Sequence, residues 1–202
     1  MCIRDRLTPA ALRALNGCDG GLVSLRTLHL VHDHRGRTIG ADPPLKLNAA
    51  CARTLAALGS TVRALHLQSC TTLVDRDIPL LAAALPRLEV CDLASALTMS
   101  EAFWSEWAHD YESAPGHHDA DLLALCRACP LLRVLDLSSC DDACYAYFSE
   151  RGLCAAVRAA PRLRDLFVYE NGRKFDFRVL HRSGVAPRLR VHTDAGWRFY
   201  MG

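Results

Sequence analysis

The apolar residues of this 202-residue chain recur in one short spacing, with a second apolar residue three positions after the first and a third two positions later. The last two apolar residues alternate with one other residue, which is the pattern of a strand that buries one face. The pattern is clearest between Cys129 and Cys140. The same register fits Leu25-Leu28-Leu30, Val62-Leu65-Leu67, Leu88-Cys91-Leu93, Leu132-Leu135-Leu137, Leu163-Leu166-Val168 and, at its first position only, Leu189-His192-Asp194.

Prolines mark where four of these strands begin. Pro86, Pro130, Pro161 and Pro187 each stand two residues before the first apolar position of a segment. Proline cannot continue a helix and biases the residue before it to extended geometry, so each one predicts a boundary between a helix and a strand. Successive first positions lie 37, 26, 44, 31 and 26 residues apart. Two of these intervals are the length of a bare repeat, and the others predict repeats with inserted loops.

The segment CTTLVDRDIPLLAAALPRL, from Cys70 to Leu88, resembles the cysteine-containing leucine-rich repeats that are common in F-box substrate receptors. The family pattern is C-x-x-I-T-D-x-x-L-x-x-L-A-x-x-C-P-x-L, and this chain departs from it at Val74 and Leu85. Matching positions are Cys70, Leu73, Asp75, Ile78, Leu81, Ala82, Pro86 and Leu88. The resemblance implies an α/β fold, namely a short leucine-rich-repeat solenoid (an RNI-like horseshoe). It would have parallel strands on its concave face, helices on its convex face and about five to six repeats.

The chain is expected to form one leucine-rich-repeat domain over residues 22–202, with an inserted loop at 101–121. Residues 1–21 are expected to be an N-terminal segment with a capping helix. The first six residues, MCIRDR, resemble translated adapter sequence and have no repeat character. The inserted loop holds six acids, three His and no Lys or Arg. Its Trp104 and Trp107 are either packed against a neighbouring helix or form a second, weaker partner-binding patch.

Composition narrows the cellular setting. No apolar run approaches the length that spans a membrane, and no secretory start is visible. The chain has 10 Cys, but Cys70, Cys91, Cys129 and Cys140 fall on repeat positions that are filled for packing, so we expect free thiols and a cytoplasmic or nuclear protein. The net charge of +2 is uneven, because residues 86–150 carry 3 basic and 12 acidic side chains while residues 151–202 carry 11 and 4.

The strand residue between the two core positions is expected to project from the concave face. Down the stack, this position is expected to hold His29, His66, Asp92, Asp136, Phe167 and Thr193. Adjacent strands are about 4.8 Å apart, so His66 and Asp92 could pair while Asp92 and Asp136 repel. The predicted partner-binding residues are His29, His66, Gln68, Asp92, Asp136, Ser138, Asp165, Phe167 and Tyr169.

Other chemistries fit the sequence less well. The surface formed by a row of strand residues is expected to be open and shallow, which disfavours catalysis or metal binding there. Cys126, Cys129, Cys140 and Cys144 have near-zinc spacing, but Cys129 and Cys140 would lie at opposite ends of one strand. The arginines of residues 151–202 sit at repeat edges, which disfavours nucleic acid as a partner. The sequence therefore predicts a monomeric, non-enzymatic protein-binding module without cofactor, catalytic residue or metal.

The resemblance implies a narrower role as the substrate-recognition part of an F-box-like SCF ubiquitin-ligase receptor. A free-standing repeat scaffold or regulator is the first alternative, because no F-box is visible in the first twenty residues. An enzyme with its site in the inserted loop at 101–121 is the alternative of another class. The sequence does not identify the partner.

Overall fold

The computed structural model describes residues 2–4, 26–31, 55–56, 61–67, 77–94, 119–138, 148–168, 180 and 188–192. Over these residues the strands form one seven-stranded sheet whose order follows the chain, and every neighbouring pair is parallel. The prediction of an α/β chain with parallel strands is confirmed. The strands are β1 (Cys2–Arg4), β2 (Thr27–Val31), β3 (Ala64–His66), β4 (Val90–Asp92), β5 (Val134–Asp136), β6 (Asp165–Phe167) and β7 (Arg190–His192). The helices are α1 (Asp77–Ala84), α2 (Asp119–Ala128) and α3 (Glu150–Ala159).

The register of the central strands is the predicted one. The middle core residues of β2 to β6 pair directly with one another and are each at most 1% exposed: Leu28, Leu65, Cys91, Leu135 and Leu166. Equivalent positions in a row allow each layer of the core to be filled by similar side chains. The flanking residues Leu132 and Leu137 are also fully buried. The apolar spacing of the sequence therefore gives the strand register correctly from β2 to β6.

The last strand differs from the prediction by one residue. Leu166 of β6 pairs with Val191, and Phe167 pairs with His192. The predicted register instead placed His192 in the core row and Thr193 in the outward row. Val191 lies four residues after Pro187, whereas Leu166 lies five residues after Pro161, so the turn into β7 is one residue shorter.

The helices bury the apolar faces that the sequence assigns to them. Ile78, Leu81 and Leu85 in and just after α1 are at most 1% exposed, as predicted for the residues that face the strands. In α2, Leu122 and Leu125 are buried in the same way, and Leu153 of α3 is 3% exposed. These residues belong to one core cluster with the inward side chains of the strands. The helices therefore cover one face of the sheet, and the outward strand residues lie on the opposite face.

Helices α2 and α3 are joined closely at their N-termini. The Asp119 carboxylate accepts a hydrogen bond from the backbone nitrogen of Ser149 at 2.8 Å and one from the Ser149 hydroxyl. Ser149 is the N-cap of α3, and its hydroxyl oxygen accepts from the backbone nitrogen of Gly152 at 3.0 Å. A Cβ atom at Gly152 would come within 1.9 Å of the Asp119 Cγ. A larger residue at this position would therefore displace the Asp119 carboxylate from Ser149.

Two elements extend into segments for which the sequence predicts another structure. Cys2–Arg4, in the segment expected to lack repeat character, forms β1 and pairs with β2. In the other segment, α2 begins at Asp119, so the last three residues of the predicted loop at 101–121 are helical. The predicted capping helix and residues 101–118 lie outside the described residues.

Candidate binding site on the strand face

The sheet surface opposite the helices, here called the strand face, carries two rows of side chains. The upstream row comes from the first paired residue of each strand and consists of Thr27, Ala64, Val90, Val134, Asp165 and Arg190. The downstream row comes two residues later and consists of His29, His66, Asp92, Asp136, Phe167 and His192. The structure therefore brings together six of the predicted binding residues, with His192 in the place expected for Thr193.

Two histidines begin the downstream row. The rings of His29 and His66 stack in parallel, with centroids 4.3 Å apart and an angle of 4° between the ring planes. The Nδ1 atom of His66 lies 3.2 Å from Oδ2 of Asp92. The predicted pairing of His66 with Asp92 is therefore confirmed. Burial lowers the pKa of His29, and the adjacent His66 lowers it further.

The aspartates in the middle of this row are buried. Asp92 is 1% exposed and Asp136 is 3% exposed, against the expectation of an open strand surface. Each carboxylate accepts a hydrogen bond from the backbone two residues ahead, from Ala94 to Asp92 at 3.0 Å and from Ser138 to Asp136 at 2.8 Å. These bonds satisfy part of the hydrogen-bonding capacity that a buried carboxylate requires. Ser138 is itself 1% exposed, so direct contact of these three residues with a partner is not supported.

At β6 and β7, side chains of both rows are accessible and contact one another. Phe167 stacks on His192 with ring centroids 4.3 Å apart. Asp165 bridges the strands, with Oδ1 lying 2.9 Å from Nε2 of His192 and Oδ2 accepting from Arg190 at 2.8 Å. Burial acts to raise the pKa of Asp165, but hydrogen bonds and charge from Arg190 and His192 outweigh it, so the pKa is lowered.

The upstream row supplies accessible apolar area beside the buried aspartates. Val90 and Val134 are adjacent in the sheet and both are half-buried. They were not among the predicted binding residues, because a valine in a strand is ordinarily explained by core packing. Their exposure follows from the alternation of the strand, since Cys91 and Leu135 occupy the core side. Arg190 and His192 were also missed, because the register of β7 was placed one residue too late.

Four predicted residues cannot be placed. Gln68, Tyr169, Trp104 and Trp107 lie outside the described residues. They remain predictions.

Burial dominates the chemistry of the cysteines in the described part of the chain. Cys91, Cys126, Cys129 and Cys154 are free and buried, as expected for Cys91 and Cys129. Burial raises the pKa of Cys126 to about 12 and that of Cys129 to about 11. The Cys129 thiol lies 3.5 Å from the carbonyl oxygen of Leu85. Such thiols are poor nucleophiles, because the reactive thiolate is scarce at neutral pH.

Within the described residues, no three His, Cys, Asp or Glu side chains are grouped closely enough to hold a metal ion. Asp119, one of the acids in the inserted loop, instead binds Ser149. The described helices include none that is both long and apolar enough to cross a membrane. The chain matches no protein-family model and no curated protein.

Proposed function

We propose that the chain is a leucine-rich-repeat solenoid and acts as a non-enzymatic protein-binding module. The supporting observation is the strand face, in which seven parallel strands follow chain order and keep equivalent residues in continuous rows. A surface of this kind is long and regular, and repeat proteins use such surfaces to bind other proteins. We also propose that the protein is monomeric, has no cofactor and acts in the cytoplasm or nucleus.

The proposed contact surface differs from the one that the sequence suggested. Its apolar part is Val90, Val134 and Phe167, which are half-buried on the strand face. His192 extends this part through its stack with Phe167. Asp92 and Asp136 lie beneath the accessible surface, so the partner does not need a basic element to match them. An apolar side chain of the partner would cover the valines and rest against Phe167.

Site-specific crosslinking tests this surface. A photoreactive amino acid in place of Val134 should crosslink one defined protein in cells, whereas the same group in place of Arg151, exposed in the first turn of α3, should not. With the purified partner, Phe167→Ala should weaken binding roughly tenfold or more, because a central aromatic anchor commonly contributes this much. Arg151→Ala should leave affinity unchanged. Equal crosslinking from both positions, or full affinity in Phe167→Ala, would rule out the strand face.

The narrower proposal is substrate recognition in an F-box-like SCF ubiquitin ligase, and its support is the sequence resemblance at Cys70–Leu88. A purified SCF adaptor subunit should then bind the protein. Binding of a partner without binding of the adaptor would favour the free-standing scaffold. Turnover of a substrate by the purified chain would instead favour the enzyme alternative.

A further inference from the structure

A second surface lies where the strands begin, in the turns that lead out of the helices. It is formed by five arginines, which we call the arginine edge: Arg133, Arg162, Arg164, Arg188 and Arg190. All five are exposed, and the side chains of Arg133 and Arg190 are 51% and 70% exposed. In the sequence alone, arginines at repeat edges are expected to be solvated charges. The structure shows that they are concentrated along one edge of β5, β6 and β7.

Backbone hydrogen bonds fix the spacing of this edge. The amide of Arg133 donates to the carbonyl of Glu89 at 2.8 Å, and the amide of Arg164 donates to the carbonyl of Arg133 at 2.9 Å. The amide of Arg190 donates to the carbonyl of Arg164 at 2.7 Å. Arg133 and Arg164 therefore occupy equivalent positions on neighbouring strands, about 4.8 Å apart. Arg190 lies one position further along, because it pairs with Asp165 rather than with Arg164.

The acids near the edge leave it with excess positive charge. Asp165 is held by Arg190 and His192. Arg162, Arg164 and Arg188 make no ion pair within the described residues. Exposed arginines carry a full charge at every physiological pH and present a planar fork of donors that matches a carboxylate.

The edge already shows how it receives a carboxylate. Glu89 lies one strand before Arg133, with Oε1 3.7 Å from Nε of Arg63 and Oε2 3.9 Å from a terminal nitrogen of Arg133. One acid thus sits between the arginines of the two neighbouring strands. Arg133 and Arg164 lie on adjacent strands, with no strand between them to carry an acid. A carboxylate from another molecule would therefore contact this pair from the solvent side.

We propose that the arginine edge binds an extended acidic segment of a partner protein. A peptide strand advances about 3.3 Å per residue, so side chains on one side of it are roughly 6.6 Å apart. Two or three acids on one side of such a segment would therefore reach from the start of β5 to the start of β7, a distance of about 9.6 Å. The turns at 86–89, 130–133 and 161–164 contain no aromatic residue, whereas surfaces for single-stranded nucleic acid ordinarily stack bases on aromatic side chains. This distinction favours an acidic peptide over RNA or DNA.

The arginine edge does not depend on the contact surface proposed above. The edge is charged and lies at the starts of β5, β6 and β7, whereas the apolar surface lies on the strand face of β4, β5 and β6 and extends to His192. The two surfaces adjoin at Asp165, which contacts both Arg190 and His192. A partner could use both surfaces, with the acidic segment raising the association rate and the apolar contact slowing dissociation. The two proposals can therefore fail independently.

The test uses a fluorescent peptide of about ten residues rich in Glu and Asp, with its affinity measured by anisotropy at low and at physiological salt. The wild-type chain should bind the peptide, and salt should weaken binding. Arg164→Glu should reduce affinity about tenfold through charge reversal, and Arg164→Gln should have a smaller effect. The matched control is Arg151→Glu, which makes the same charge change at the opposite end of α3 and should leave affinity unchanged. Circular dichroism should show the same fold for all variants.

Four outcomes would overturn the proposal. The first is no measurable binding by the wild-type chain at low salt, and the second is an equal loss in Arg164→Glu and Arg151→Glu. The third is tighter binding of an RNA oligonucleotide of equal charge, which would assign the edge to nucleic acid. Phe167→Ala separates this proposal from the proposed function, because it should leave peptide affinity intact. Loss in Phe167→Ala without loss in Arg164→Glu would place the peptide on the strand face and exclude the arginine edge.

Discussion

The middle and the end of the strand face use equivalent backbone positions for opposite purposes. In β4 and β5 the downstream position holds Asp92 and Asp136, whose buried carboxylates accept hydrogen bonds from the chain itself. In β6 and β7 the same position holds Phe167 and His192, which stack on each other and are partly exposed. In the downstream row, the middle therefore contributes to stability, and the end has side chains available for binding.

This difference shows that a repeat position fixes the direction of a side chain but not its exposure. The residues of the downstream row all point away from the helices, since their neighbours Leu65, Cys91 and Leu135 fill the core. Yet polar residues in the middle are less exposed than the phenylalanine at the end. A binding surface on such a sheet must therefore be identified from accessibility, and chemical type alone selects the wrong residues.

The largest expected effect tests whether the middle and the end form one folding unit. Leu135→Ala removes a side chain that is 1% exposed and should lower the free energy of unfolding by about 2–5 kcal/mol. Because neighbouring repeats stabilise one another, structure at the end should be lost in the same urea transition. The matched control is Leu80→Ala in α1, since Leu80 is 36% exposed and its truncation should cost less than about 1 kcal/mol. Overlapping melts of Leu135→Ala and wild type would show that the assigned core is wrong.

A paired substitution sharpens the comparison directly. Asp136→Ala leaves the buried backbone nitrogen of Ser138 without its acceptor and should cost about 1–3 kcal/mol in urea unfolding. Asp136→Asn keeps an acceptor oxygen and should cost less. Phe167→Ala should weaken partner binding more than it lowers stability. The contrast between the middle and the end is wrong if Asp136→Ala is as stable as wild type, or if Phe167→Ala is less stable than Asp136→Ala.

The smallest expected effect is the pH dependence contributed by His29. Burial and His66 lower the pKa of His29 in the folded chain, so the unfolded chain binds a proton more readily at this site. Stability from this source is present above the unfolded pKa of about 6.5 and is lost as pH falls through the lower folded value. His29→Phe removes the titration and should flatten the dependence of the urea midpoint between about pH 7.5 and about pH 5.5. If the urea midpoint of His29→Phe depends on pH as steeply as that of wild type, His29 is not the source of this pH dependence.

Local sequence pattern predicted most of the described fold. The apolar spacing placed Leu28, Leu65, Cys91, Leu135 and Leu166 correctly, because alternation in a strand fixes which side chains face the core. It failed at β7, where one residue fewer follows the proline and the apolar Leu189 imitated the start of the expected pattern. The apolar spacing does not predict the register of a strand when the turn before it changes length.

The candidate site was harder to predict. Alternation gave the direction of Asp92 and Asp136 and the pairing of His66 with Asp92, but burial depends on atoms distant in sequence. The half-buried valines and the arginine edge were missed for the opposite reason. Each is ordinary where it stands in the sequence, and only the sheet brings Arg133, Arg164 and Arg190 to the starts of three neighbouring strands.

The buried cysteines make local opening of this protein measurable without any mutation. Cys126 and Cys129 lie at the end of α2, Cys154 lies in α3 and Cys91 lies in β4. An alkylating reagent modifies a thiol only after the surrounding structure has opened, because burial both blocks access and suppresses the thiolate. The modification rate of each thiol therefore reports how often the structure around it opens. The modification rates of the four thiols, measured by peptide mass spectrometry, would show whether opening begins at an end of the array or in the middle.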